Sequence, residues 1–383
     1  MFAMSLLGAL GLPKPWGNTV LLLISFAVLL IGAEIFTNGI EWLGHRLEVS
    51  ESATGSILAA VGTALPETII PVMAIIQGGA QAESVGVGAI LGAPFMLSTI
   101  AMFLIGVSVI FFADRRTFDR NFHFNTESTK RDLSFFLVGY SLAFGAALIR
   151  SDTISILIGL SLVGLYLLYL YQTLTSGELM GSEDIDHLHL GHLVEHGIGP
   201  IPGIGEGDHA ADPGLILVAI QTLFALSVII GGAHLFVSEI KYISIQVLHT
   251  PPAIIALLVA PLATELPEKF NSVLWISRDK DTLALGNISG AMAFQGTLPV
   301  TLGILFTSWD LSLQWGTQGF LNGFSAILAI ISGGILYLRA RKVGEGEMSP
   351  RPFLIGGLFY LLFILVVLYH VFFIPGFQAT GGH

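Results

Sequence analysis

Two short segments, Gly62-Thr63-Ala64-Leu65-Pro66-Glu67 and Ala263-Thr264-Glu265-Leu266-Pro267-Glu268, set a hydroxyl, a proline and a carboxylate in the same order within otherwise apolar sequence. On a helix Thr63 and Glu67 are spaced i, i+4, as are Thr264 and Glu268, so each hydroxyl stands one turn from its carboxylate on one face. Pro66 and Pro267 lack an amide hydrogen, which leaves the carbonyls of Gly62 and Ala263 without their usual helical donor. In lipid such carbonyls need another partner, and a dehydrated cation can be one. Two carboxylates, two hydroxyls and loose carbonyls make an all-oxygen, doubly anionic cage suited to a hard cation such as Ca²⁺, whereas Mg²⁺ demands a stricter octahedron and keeps its waters. A single Pro-Glu pair can be only a kink beside a paired carboxylate. Two related copies favour an ion pathway, because ionisable groups at bilayer depth are costly.

Further polar groups flank these motifs. Glu265 and Glu268 are i, i+3 neighbours, where mutual repulsion and desolvation favour a proton on one of them. Glu265 is therefore the candidate for proton coupling; the alternative is a carboxylate on a helix face that reaches water. Gln295 is a candidate polar ligand, and Asn287 either touches an ion or bonds between helices. Residues 176–212 contain no Lys or Arg but eight acidic residues and five histidines. His187, His189, His192 and His196 form a possible regulatory metal site there, with His192 and His196 able to share one helical face. The competing reading is a solvated linker, since the Gly- and Pro-rich stretch 197–203 opposes regular structure.

The elements that must position these groups are membrane spans. At 53% hydrophobic and 11% charged, the chain carries long apolar runs, each sufficient to cross about 30 Å of hydrocarbon. These predict ten helices near 18–41, 54–77, 84–112, 132–149, 153–173, 213–240, 251–277, 282–308, 318–340 and 352–374. Residues 1–17 form an extracytoplasmic segment, 18–173 a first five-helix repeat, 174–212 a cytoplasmic His- and acid-rich loop, 213–374 a second repeat and 375–383 a tail. Assigning the Lys and Arg residues to alternating sides groups twelve of the sixteen, from Arg46 to Arg351, on one face. The positive-inside rule makes that face cytoplasmic and both termini extracytoplasmic, as expected of a prokaryotic plasma (inner) membrane protein. No basic patch forms, so nucleic acid is not an expected partner. The chain has no cysteine, which excludes disulfides and thiolate metal sites.

The two halves also repeat. Gly32-Ala33-Glu34-Ile35-Phe36 returns as Gly232-Ala233-His234-Leu235-Phe236, and Gly88-Ala89-Ile90-Leu91-Gly92-Ala93 as Gly286-Asn287-Ile288-Ser289-Gly290-Ala291. Because five spans is an odd number, the copies enter the membrane from opposite sides, an inverted repeat of the kind that builds secondary transporters with a site near the midplane. The glycines of spans 3 and 8 are expected to cross the proline-broken spans 2 and 7 closely. Glu34 and His234, at matching positions, are either a pathway extension or a structural pair.

Taken with the ten spans, these motifs resemble the sodium/calcium exchanger branch of the cation antiporter superfamily over nearly the whole chain. The resemblance implies an all-α polytopic fold, central divalent-ion ligands at Glu67, Glu268, Thr63 and Thr264, and spans 1 and 6 sliding against a four-helix core. It also marks departures. Where the family has serines after each threonine, this chain has Ala64 and Glu265; downstream serines are Ala93 and Ala291, and the last polar positions are Leu97 and Gln295. Most side chains associated with sodium are thus replaced. The expectation is a secondary-active antiporter, not an enzyme, that needs no cofactor and moves Ca²⁺ or another divalent ion (Mn²⁺, Mg²⁺) against Na⁺ or H⁺. A cation channel is the alternative of a different class. Neither an ATP-binding G-x-x-x-x-G-K-[ST] motif nor an H-E-x-x-H or G-x-S-x-G hydrolase motif occurs.

Overall fold

A computed structural model describes residues 14–46, 59–118, 120–149, 151–175, 188–193, 213–343, 346–375 and 377, with the side chains of 14–15, 44–45, 59–66, 174, 192–193, 263 and 266–268 outside that description. Those residues are almost wholly helical. The first half contains α1 (Lys14–Arg46), α2 (Ala59–Gln77), α3 (Ala80–Phe111), α4 (Thr126–Leu148) and α5 (Asp152–Thr175). The second contains α6 (Leu215–Val247), the pair α7 (Pro252–Thr264) and α8 (Leu266–Ile276), the pair α9 (Asp281–Gln295) and α10 (Leu298–Phe306), then α11 (Gln318–Lys342) and α12 (Arg351–Phe373). Seven helical stretches, with α9 and α10 as one, are long and apolar enough to cross a bilayer. With α2, α4 and the α7–α8 pair added, the described architecture is compatible with ten crossings in two halves. α4 begins earlier than its apolar run, because Asn125 caps it by accepting from the amides of Glu127 and Ser128.

Local chemistry sets the interruptions. Gly78 and Gly79 adopt φ of 68° and 82° in the turn between α2 and α3, a region that favours glycine. The span carrying the second motif breaks at Glu265, with Pro267 in the first turn of the helix that follows. The expected break in span 2 does not occur: α2 runs from Ala59 to Gln77 through Pro66. A proline removes one donor, which a helix held by its neighbours tolerates. The repeats also share an irregularity. Leu97–Ala101 is a π-helical turn within α3, and the matching stretch of the second half contains the α9–α10 break at Gly296 and Thr297.

Burial separates inner from outer helices. In α3, and in α9 with α10, 67% of the apolar window is buried, against 22% in α5 and 28% in α1 and α12. The main core joins Leu91 and Phe95 of α3 to Phe136 and Tyr140 of α4, Met292 of α9 and Phe363 of α12. Leu157, Leu160 and Leu167 of α5 and Leu361, Leu365 and Phe372 of α12 are exposed, as a lipid-facing surface requires. A second cluster unites α1 and α6 with α2, through Leu29, Phe36, Ile70, Ile229 and Phe236.

The α1–α6 contact is reciprocal. A Cβ at Gly32 would lie 2.9 Å from Ile229, and one at Gly232 would lie 3.0 Å from Val28 and 3.3 Å from Leu29. The related glycines thus face related partners, the pattern made by a two-fold axis. On one face of the molecule, strands β1 (Phe122–His123) and β2 (Glu347–Met348) pair antiparallel. Beside them the buried Arg116 guanidinium donates to Asp281, which also accepts from the amide of His123 at 2.9 Å. The α3–α4, α8–α9 and α11–α12 connections, which together with the last turn of α11 and the first residue of α12 carry nine of the sixteen Lys and Arg residues, therefore meet on the same face.

Candidate ion-binding site

Three helices bring the motif residues together. Gly88 and Gly92 let α3 lie directly on α7: a Cβ at either would stand 2.2 Å from a backbone oxygen, that of Ala253 or Leu257. Only glycine permits this approach. Gly86 packs in turn on α2, its would-be Cβ 3.2 Å from Ala74. The expected crossing of small residues holds for span 3. In span 8 it takes another form, since Gly290 faces the Tyr169 hydroxyl of α5 and Gly286 has no described atom within 4 Å of an added Cβ.

At this crossing a narrow crevice is lined by Glu67 and Ile70 of α2, Ala89 and Ala93 of α3, and Ala260, Pro261 and Thr264 of α7. Glu67 of the first motif and Thr264 of the second thus border one space from opposite halves of the chain. Both are buried, at 7% and 6% exposure. The Thr264 hydroxyl donates back to the carbonyl of Ala260 at 3.3 Å, which leaves its oxygen lone pairs able to accept. Thr63 and Glu268 lie on α2 and α8 at the matching positions, with side chains outside the described residues.

Glu265 meets a partner that the motif comparison passed over. Lys269, one turn further along the same span, places its ammonium 2.8 Å from Oε2 of Glu265 and 3.3 Å from the carbonyl of Pro261. Both side chains are buried, Glu265 at 1% and Lys269 at 5% exposure. The ammonium thereby seals the broken helix, where the Pro261 carbonyl already accepts from the amide of Glu265 at 3.1 Å. The i, i+4 spacing of Glu265 and Lys269 was the available sequence signal. Against the expected Glu265–Glu268 repulsion, the structure sets a cation of the chain's own.

Other expected residues fall elsewhere. Gln295 is buried at the end of α9, beside the helix break, and is not among the described residues lining the crevice. Asn287 donates to Ser272 at 3.1 Å, a bond between α9 and α8. Glu34 and His234 are exposed, and the His234 ring and carbonyl both contact the Gln77 amide at the end of α2. Of the histidine loop, His187 and His196 lie outside the described residues, as does the His192 side chain. His189 opens a short helix, His189–Leu193, docked on α1 and α6: Asn38 accepts from its amide at 3.2 Å, and Gln221 accepts from that of Leu190 at 2.7 Å. Among the described residues, no group of three or more acidic or histidine side chains is placed to hold a metal ion.

The profile of the sodium/calcium exchanger protein family matches residues 17–175 and 217–375, once per half. The chain belongs to this family. The exchanger is also similar to an uncharacterized membrane protein of Methanocaldococcus jannaschii, 24% identical over 347 residues, covering 90% of this chain and 95% of the relative. The inner membrane protein YrbG of Escherichia coli is 22% identical over 335 residues, covering 86% and 91% respectively. Among solved structures, the H⁺/Ca²⁺ exchanger CAX superposes with a TM-score of 0.65 at 14% identity, covering 95% of this chain and 88% of its own. The sodium-calcium exchanger NCX_Mj does so with a TM-score of 0.51 at 18% identity, covering 91% and 97%. At these identities the likeness establishes the fold. The two matched stretches coincide with the two halves, and the exchanger is a mostly helical membrane transporter of inverted-repeat architecture.

Proposed function

We propose that the exchanger is a secondary-active antiporter that moves a divalent cation, Ca²⁺ foremost, against H⁺ or Na⁺ by alternating access. Glu67 and Glu268 are its principal ligands, Thr63 and Thr264 support them, and Glu265 and Gln295 are polar groups of the surrounding shell. The observation that carries this reading is the shared crevice: Glu67 comes from the first half and Thr264 from the second, and both are buried where α3 crosses α7. A narrow, otherwise apolar space bordered by a carboxylate residue from one inverted half and a hydroxyl residue from the other is chemically matched to a hard cation and can be opened from either side in turn. The replacement of the family's sodium-associated serines by Ala64, Ala93 and Ala291 favours H⁺ over Na⁺ as the counter-ion. The shared face of the basic connections supports a plasma-membrane orientation with both termini outside.

The test is uptake of radiolabelled Ca²⁺ into proteoliposomes under an imposed pH or Na⁺ gradient, with Mn²⁺ and Mg²⁺ as competitors. Uptake driven by the pH gradient and abolished in Glu67→Gln and Glu268→Gln is expected. Uptake that persists in both variants would remove the proposed ligands. Conductive flux without any counter-ion gradient would make the protein a channel.

A further inference from the structure

The Glu265–Lys269 pair breaks the symmetry of the two halves at the ion crevice. The residue matching Lys269 in the first half is Thr68, and the residue matching Glu265 is Ala64. Only the second half carries a cation and an additional carboxylate, and both are buried. Lys269 adopts the surroundings of a dehydrated monovalent ion: a carboxylate oxygen at 2.8 Å, a backbone carbonyl at 3.3 Å, and a helix break that exposes both. Pro261, whose carbonyl binds the ammonium, lines the crevice together with Glu67 and Thr264. The second carboxylate oxygen of Glu265, Oε1, is buried and accepts no hydrogen bond among the described residues.

We infer that the Lys269 ammonium occupies a monovalent-cation subsite next to the divalent-ion crevice, so that a tethered charge of the chain replaces Na⁺ or K⁺ as a resident ion. The inference rests on reading the crevice as the transport site. Charge balance agrees with it. Glu67, Glu265 and Glu268, all ionised, with one ammonium leave a formal charge of −2, which a single divalent ion neutralises without help from sodium. Without Lys269 the same carboxylates would call for an additional monovalent ion. The ammonium thus makes the site selective: it admits one divalent ion and excludes a metal cation from the adjoining position.

Thermal unfolding of the purified protein in detergent tests this without any divalent ion, so its outcome is separable from that of the transport reading. At equal ionic strength, the wild-type midpoint should be the same in KCl and choline chloride, and any rise in NaCl, where Na⁺ as counter-ion would bind the crevice, should be shared by the variant that lacks both charges. Lys269→Thr, which installs the residue of the first half, should unfold at lower temperature in choline chloride and recover in NaCl or KCl, whose ions can enter where choline cannot. Glu265→Gln/Lys269→Met, lacking both charges, should respond to the salts no more than the wild type does. Failure of the single variant to be stabilised by either metal cation, including failure to fold in their presence, would show that Lys269 only closes the helix break. A potassium-specific stabilisation of the wild type would equally overturn the inference, because the subsite would then be open. Loss of Ca²⁺ uptake with the salt response intact would count against the transport reading alone.

Discussion

At the scale of single residues, Lys269 and Glu265 are costly apart and tolerable together. Removing one member of a buried ion pair strands the other's charge and typically costs about 3–5 kcal/mol, whereas replacing both by apolar or neutral groups is often neutral. Lys269→Met should therefore destabilise the exchanger by about that amount, and Glu265→Gln/Lys269→Met should recover most of the loss, as read by unfolding of the purified protein in detergent. Gly92 supports a steric prediction: an added methyl would meet the Leu257 oxygen at 2.2 Å and Pro261 Cγ at 2.8 Å. Gly92→Ala should force α3 away from α7, lowering stability by about 1–3 kcal/mol on the same assay, and it should reduce transport more than stability, because Pro261 also lines the crevice. At this scale the candidate ligands were readable from residue order alone. Glu67 and Thr264 meet through the crossing of α3 with α7 rather than through their spacing, and the helix break at Glu265 separates Thr264 from Glu268, which were expected one turn apart on a single face. Lys269 was equally visible, one turn from Glu265, yet sequence comparison aligned each motif with its repeat and thereby passed over a residue present in one half only.

The elements divide into those that frame the site and those positioned to move. α3 is held against α7 by backbone contact at Gly88 and Gly92, while α1 and α6 contact each other through side chains, about Gly32 and Gly232. If the α1–α6 pair shifts against the core during transport, tethering α6 to α2 should stop it. Gln77 and His234 already touch across that boundary, and the native chain has no cysteine. A short bifunctional thiol reagent applied to Gln77→Cys/His234→Cys should block Ca²⁺ uptake, with each single variant unaffected; undiminished uptake after confirmed cross-linking would place the motion elsewhere. Element positions were largely legible from apolar runs. Ends shifted where polar residues continue a helix, as at α4, whose capping Asn125 precedes the apolar segment by several residues. Breaks were less legible. Pro66 and Pro267 have the same neighbours, but one helix continues and the other stops at Glu265, because tertiary contacts decide whether a lost donor ends a helix.

For the whole molecule, the decisive observation is that the basic connections gather on one face, tied by β1–β2 and by Arg116 with Asp281. Single cysteines introduced at Arg278 and Arg341 should be labelled by a membrane-impermeant maleimide only from the cytoplasmic side, and one at Asp310 only from outside; reversed labelling would invert the topology. The two-half organisation was legible because both copies kept their glycines and motifs. The expected regulatory metal site of the histidine loop falls mostly outside the described residues, and the part described, His189–Leu193, meets α1 and α6 through backbone amides held by Asn38 and Gln221. The helix break confined to the second half has a consequence for how the exchanger rests. Two identical inverted repeats would make the inward-facing and outward-facing forms two-fold-related arrangements of equal free energy, each populated half the time. A break, a lysine and a third carboxylate in one copy remove that degeneracy, and a bias of about 1.4 kcal/mol is already a tenfold preference. Without any ion gradient, the empty carrier should wait with its site open predominantly to one side of the membrane.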